Sequence, residues 1–264
     1  MVAEGGKRVT SRDSIAGVAP LFTVITAVSN GAAAIEQAIL SVVGQSYRDF
    51  EYIIVDAASS DGTVRVLERF SDHIDYWRSE PDSGIYDAWN KAVRLARGQW
   101  IAFLGADDGY YRDALENYAQ FLARHDDAAL HYLSSRVDLM LDGHRVSTVG
   151  KAWNWAGFSR YMCVAHVGSM HHRSLFERYG AFDSSYRICG DYELLLRPRA
   201  ALRAAFLPSV TARMTYGGIS TSRPRRALRE AERAKRTSGG RAAWLCALEF
   251  QYALAKALIR GMVR

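Results

Sequence analysis

The chain has 264 residues, 49% hydrophobic and 23% charged, which excludes disorder throughout and suffices for one large domain or a domain with an appendage. No apolar run approaches the roughly 20 residues that span a bilayer, and residues 1–19 lack the apolar core of a secretion signal, so a cytoplasmic location is expected. The net charge of +6 arises after Gly217, where eleven Lys or Arg face three Glu; the first 216 residues hold 23 basic and 25 acidic groups, which argues for a basic surface-binding tail rather than a nucleic-acid-binding body. In chain order, Leu21–Val28 reads as a first strand, followed by the turn Ser29-Asn30-Gly31 and a helix from Ala33 to Gly44 with Ile35, Ile39 and Val42 on one face. Phe50–Asp56 is a second strand ending in an acid. Ser59-Ser60-Asp61-Gly62 supplies the turn and cap for a helix over Thr63–Phe70. A short strand over Ile74–Arg78, a loop at Glu80–Gly84 and a helix over Ile85–Ala96 lead to the run Trp100–Ala106, which stops at Asp107-Asp108-Gly109.

Strands alternating with helices imply right-handed crossovers and a mainly parallel sheet, so the strands deliver their C-terminal ends to one edge. Asp56 and the pair Asp107-Asp108 then share that edge, where open α/β sheets bind ligands. Adjacent carboxylates repel, so the pair is stable when one is solvated or hydrogen-bonded and the other meets a cation. A divalent metal carrying a diphosphate would suit it, while an ordinary Asp-Asp-Gly turn is the plainer reading. No Gly-x-Gly-x-x-Gly follows the first strand and no Gly-Lys-Ser/Thr loop is present, which argues against a dinucleotide site and a P-loop.

Beyond Asp108 the pattern changes. Tyr111–Arg124 is predicted helical, Leu130–Leu141 and Val146–Val149 form a hairpin around Asp142-Gly143, and Trp153–Gly168 is aromatic and irregular. Ser174–Tyr179 and Gly190–Arg197 begin short helices, the second with Asp191 and Glu193 in its first turn. Cys163, Cys189 and Cys246 are odd in number and lack metal-site spacing, as expected of reduced packing thiols.

Several of these segments, in this order, resemble the family 2 glycosyltransferases: Thr23–Asn30, Val55–Thr63, Ser79–Lys91, Gly105-Ala106-Asp107-Asp108 and Gly190-Asp191-Tyr192-Glu193. The resemblance covers roughly residues 20–220 and is greatest to bacterial enzymes of exopolysaccharide, lipopolysaccharide or glycolipid synthesis. It implies a GT-A fold, an α/β architecture with a mainly parallel Rossmann-like sheet flanked by helices. The expected division is a flexible N-terminus over 1–19, a nucleotide-sugar half over 20–109, an acceptor half over 110–220 and a basic helical tail over 221–264.

The implied reaction is inverting transfer of a sugar from a nucleoside-diphosphate donor to a hydroxyl of a lipid-linked or cell-surface glycan, assisted by Mn2+ or Mg2+. By resemblance Asp108 holds the metal, Asp107 contacts the donor ribose, Asp56 lies at the nucleotide-base pocket and Asp82 near the donor. Asp191 takes the place of the catalytic base, although an acid at a helix start also serves as a cap. Ala57 stands where many relatives carry a second acid, which leaves the choice of base open. His166 and Glu193 fall on the acceptor or diphosphate side, with a packed core histidine the alternative for His166. Trp153, Trp155, Phe158 and Tyr161 form either a sugar-stacking wall or packing beneath a loop, and Asn90 and Lys91 are read as structural. A nucleotidyltransferase-like enzyme using the same acids and a non-catalytic membrane-docked scaffold are the competing functions.

The tail carries an Arg- and Lys-rich stretch over Pro224–Arg236, a Ser238-Gly239-Gly240 break and a final helix. In that helix Trp244, Leu248, Tyr252, Ala255, Ile259 and Met262 share one face, opposite Glu249, Lys256, Arg260 and Arg264. Such a helix beside a polybasic segment reads as a peripheral anchor on anionic membrane, or as a surface packed on the domain or a second copy.

Overall fold

The computed structural model describes residues 2–10, 18–125 and 127–259. The chain opens on elements that sequence patterning does not reveal. Strand β1 (Ala3–Gly5) and helix α1 (Lys7–Thr10) replace the flexible N-terminus expected there; residues 1 and 11–17 lie outside the described residues. Three residues are too few for a periodic signal, and their order comes from tertiary contacts. The Arg8 guanidinium reaches the Glu51 carboxylate and donates to the Leu95 carbonyl at 3.0 Å.

Then follow β2 (Phe22–Val28), α2 (Ile35–Val43), β3 (Phe50–Asp56), α3 (Thr63–Arg69), β4 (Tyr76–Ser79), α4 (Ile85–Leu95) and β5 (Trp100–Gly105). β4, β3, β2 and β5 are parallel neighbours in that order, and β1 pairs antiparallel with β4 at the edge. Alternate side chains point to opposite faces. Val24, Tyr52, Ile54, Ala102 and Leu104 pack against α2, where Ile35, Ile39 and Val42 are fully buried, each such side chain contributing about 1.5–3 kcal/mol. Ile25, Ile53, Val55, Ile101 and Phe103 meet Tyr86, Trp89 and Ala92 of α4 on the other face.

The second half contributes β6 (Gly109–Tyr110), α5 (Ala114–Arg124), β7 (Tyr132–Leu141), β8 (His144–Val149), α6 (Trp155–Phe158), β9 (Ser169–His172), α7 (Arg173–Tyr179), α8 (Gly190–Leu196) and β10 (Ala204–Thr215). The expected hairpin is present, with Asp142 and Gly143 both at positive φ in a two-residue turn. β9 lies antiparallel between β5 and β7, joining the halves into one sheet, and β10 runs parallel beside β7. The parallel centre thus continues into a mixed flank, as in the GT-A architecture.

The tail forms α9 (Ile219–Ser222), α10 (Pro224–Thr237) and α11 (Ala243–Ile259). α10 is more than an appendage, because Glu230, Ala234 and Lys235 are buried, Ala234 within the same core as α4 and α8. On α11 Trp244, Leu248 and Tyr252 of the face named above point outward, exposed by 65%, 61% and 71%. Glu249 faces inward and pairs with Lys235 and Arg241. Arg260, Met262 and Arg264 lie outside the described residues. No helix among the described residues is long and apolar enough to cross a membrane.

Candidate active site

The parallel register places Val28 beside Asp56 and Ala27 beside Gly105, so the ends of β3 and β5 flank the end of β2. With neighbouring strands about 4.8 Å apart, Asp56 and the Asp107-Asp108 turn start from positions about 10 Å apart along one edge. Asp56 is buried and fully engaged: it accepts from Ser79 Oγ at 2.6 Å, Ser59 Oγ at 2.5 Å and Ser59 N at 2.9 Å. It lines a 200 Å³ pocket together with Asp82, Arg78 and Lys91. Asp82 also holds its loop by accepting from Gly84 N at 2.8 Å.

Asp107 is exposed and Asp108 half-buried, both lining a separate 370 Å³ cleft with Gln37, Arg213 and Thr215. β10 closes this turn: Thr215 N donates to Asp108 Oδ1 at 3.0 Å, and Thr215 Oγ1 donates to the Asp107 carbonyl at 2.6 Å. Burial, reinforced by the charge of Asp107, pushes the Asp108 carboxyl up to about 7. No ion pair to Asp108 forms among the described residues. Gly105 is required beneath it, since an added Cβ would collide with Asp108 Oδ2.

Asp191 opens α8. Its Oδ1 accepts from Tyr192 N at 2.8 Å and lies 3.2 Å from the Tyr86 hydroxyl, whose one proton is shared between this oxygen and the Ile188 carbonyl at 2.7 Å. Burial raises its carboxyl to about 6 against the lowering effect of these bonds. Gly190 permits the approach, because a Cβ there would stand 2.8 Å from the Tyr86 ring. Tyr86 starts α4, immediately after the loop leaving β4, so one hydroxyl ties the first half of the chain to Asp191. A second tie runs from the Arg187 guanidinium to the Ser83 carbonyl.

The segment before Asp191 is held by a residue the sequence reading did not single out. Glu230 on α10 accepts from three consecutive backbone N–H groups, those of Arg187 (3.0 Å), Ile188 (2.8 Å) and Cys189 (3.1 Å), and from Arg226 Nε at 2.9 Å. Burial would raise its carboxyl, but these donors outweigh that effect and hold it low. The available signal was spacing, since Glu230 shares the small-residue face of Ala227, Ala231 and Ala234 within an Arg-rich helix.

Other expectations resolve differently. Glu193 does not line the Asp191 pocket; it is buried in an ion pair with Arg197 at 2.5 Å and accepts from Ser238 Oγ. Its neighbours are structural because the helix turn carries it to the face covered by Arg197 and the tail. His166 packs against both Trp89 and Phe103, with centroids at 5.2 and 5.6 Å, and burial lowers its imidazole to about 3. It is a neutral packed ring with its Nε2 unpartnered. Of the aromatic wall, Phe158 belongs to the core with Trp153 packed on it, while Tyr161 alone is strongly exposed. Asn90 brackets Phe182 through its backbone N–H and carbonyl, and Lys91 bonds Glu80 and the Pro81 carbonyl, as structural readings expect. No cluster of three metal-ligating side chains occurs among the described residues.

The mixed α/β sheet with acids at its strand ends is that of the GT-A architecture, and comparison with known proteins identifies the family. The profile of the family "Glycosyl transferase family 2" matches residues 23–163, and the chain belongs to that family. It is 30% identical over 219 residues to a PGL/p-HBAD biosynthesis glycosyltransferase of Mycobacterium bovis, spanning 77% of this chain and 80% of the relative. Among solved structures, S. aureus TarS aligns with a TM-score of 0.65 at 16% identity, over 89% of this chain but only 43% of TarS. A mannosyltransferase from Pyrobaculum calidifontis, solved with GDP-Man and Mn2+, aligns with a TM-score of 0.64 at 21% identity over 92% of this chain and 76% of that one. These two likenesses establish the fold.

Proposed function

We propose that this glycosyltransferase moves a hexosyl group, with inversion, from a nucleoside-diphosphate sugar to a hydroxyl of a lipid-linked or cell-surface glycan acceptor. The observation that carries the reading is Asp191, a half-buried carboxylate poised near 6 at the wall of a 660 Å³ cavity and braced by Tyr86, Tyr192 N and the Glu230-held loop. In the deprotonated form it accepts the proton of the acceptor hydroxyl as that oxygen attacks the anomeric carbon from the face opposite the leaving diphosphate. Tyr86 and the Glu230 clamp fix its direction, so it meets the proton without a search through rotamers.

On the donor side, Asp107 serves the ribose, and Asp56 with Asp82 lines the pocket for the base. A divalent cation fits Asp108: the carboxylate is hard, half-buried, without an ion-pair partner among the described residues, and raised by burial and then by the Asp107 charge, both of which a metal would offset. Bound there with a diphosphate, Mg2+ or Mn2+ supplies Lewis-acid neutralisation of the leaving group. The TarS fragment solved with UDP-GlcNAc and the mannosyltransferase solved with GDP-Man and Mn2+ support a nucleotide-sugar donor and a metal. The outward apolar face of α11 beside exposed arginines of α10 supports action at the surface of an anionic membrane.

Asp191→Asn tests the mechanism. Turnover, read as release of nucleoside diphosphate, should fall by about 100-fold or more, while donor binding in a thermal-shift assay stays within twofold. Normal turnover by this variant would overturn the assignment of the base, and release of pyrophosphate would point instead to nucleotidyl transfer.

A further inference from the structure

The cavity at Asp191 is built by parts of the chain remote in sequence, and much of its wall is apolar. One wall comes from the irregular segment and the base loop, with Met162, Ile188 and Tyr192; the other comes from the tail, with Leu228 and Ala231 of α10 and Phe250 and Ala253 of α11. Most polar groups on its walls are already committed: Lys235 pairs with Glu249 at 2.8 Å, and Glu232 lies 3.9 Å from Arg236. The apolar stretch formed by Met162, Ile188, Leu228, Ala231, Phe250 and Ala253 offers no side-chain partner to sugar hydroxyls and suits the apolar part of an acceptor.

We propose that this cavity holds the apolar body of an amphiphilic acceptor, an alkyl or aryl aglycone adjoining the hydroxyl that reacts at Asp191. The proposal rests on the reading of Asp191 as the base. Three features support the occupant. The volume of 660 Å³ is that of a drug-sized apolar group. Arg160 and Lys256, exposed and without ion pairs among the described residues, line the same cavity and complement an anionic group carried by such an amphiphile. Tyr252 belongs both to the cavity wall and to the outward stripe with Trp244 and Leu248, so the apolar surface runs continuously from the outside of α11 to Asp191. Through Glu230 the wall from α10 is fixed to the loop that carries the base, which makes the cavity part of the same unit.

Linear alcohols are the smallest probes with both required parts. Calorimetric titration of the full chain, saturated with nucleoside diphosphate and Mn2+, with 1-hexanol through 1-decanol should show affinity rising about fourfold per added methylene, the equivalent of about 0.8 kcal/mol. Ala253→Trp and, independently, Ala231→Leu should weaken 1-decanol binding at least tenfold while the thermal shift from nucleoside diphosphate is retained. Affinity that is flat with chain length, or that survives both substitutions, overturns the proposal, since binding to the outer stripe alone would be insensitive to them. The measurement is independent of turnover: alcohol binding with an active Asp191→Asn variant would leave the cavity standing and remove the base, and the opposite pair of results would do the reverse.

Discussion

At the scale of single residues, Asp191 and Asp108 are both raised carboxyls, and their elevated values predict opposite things. A base works only when deprotonated, so kcat/KM should fall about tenfold per unit as pH drops below the value of about 6 held by Asp191, and Asp191→Asn should lose that limb along with its activity. Asp108 acts on stability. Unfolded, its carboxyl ionises at the ordinary value near 3.8; folded, it keeps its proton to about 7. The folded state therefore binds more protons in between, and its contribution to stability is full below about 4 and lost as pH rises through 7. Asp108→Asn should stabilise the metal-free protein at pH 8 by about 2 kcal/mol, roughly half the full conversion because the group keeps some solvent contact, and should abolish the further rise in Tm that Mn2+ gives the native chain with nucleoside diphosphate. Asp108 was legible because it stands where an apolar run ends, and Asp191 through the resemblance of the Gly190-Asp191-Tyr192-Glu193 segment to the family. The role of Thr215 was not, for it depends on a strand whose pairing partner lies more than 100 residues away.

At the scale of elements, the parallel unit from β2 to β5 could be read from alternation and turn residues, since its helices and strands are long and locally consistent. β1, β9 and β10 escaped that reading for physical reasons: β1 is three residues long, β9 is four residues long and buried on both faces so that no alternation shows, and β10 carries register shifts against β7. α10 was legible as a helix but not as a support. Its Glu230 replaces what would be three unpaired N–H groups under the base. Glu230→Gln keeps one oxygen for them but removes the charge and turns the other oxygen, which accepts from Arg226, into a donor, at a cost of about 1–3 kcal/mol, and the expected outcome is a kcat reduced tenfold or more with the KM for donor changed less than twofold. A proportional loss of both would mean that the whole fold, rather than the base loop, had been weakened.

At the scale of the molecule, the acids form three neighbouring pockets rather than one. Asp56 and Asp82 share the first, Asp107 and Asp108 the second, and Asp191 has its own, with Tyr86 and Arg187 latching the third to the loops around the first. The tail belongs to this arrangement, so deleting it would remove Glu230 and a cavity wall along with any membrane contact. Membrane binding is better tested on the surface: Trp244→Asp with Leu248→Asp should lower partition onto anionic vesicles tenfold or more, in a sedimentation assay, without moving Tm by more than about 2 °C.

The small first strand has a consequence of another kind. β1 occupies the open edge of β4, and at that end of the sheet it keeps β4 from presenting a free template to another chain. A protein begun at Val18 would keep every acid of the site and yet expose a row of unpaired N–H and carbonyl groups along Tyr76–Ser79, and would also leave Glu51 with Arg97 as its remaining guanidinium partner. Such a chain should bind donor as the full one does but self-associate with rising concentration, visible as a shift in sedimentation coefficient. Its colloidal behaviour at that edge, more than its chemistry, is governed by the nine residues 2–10 at the far end of the sheet from the base.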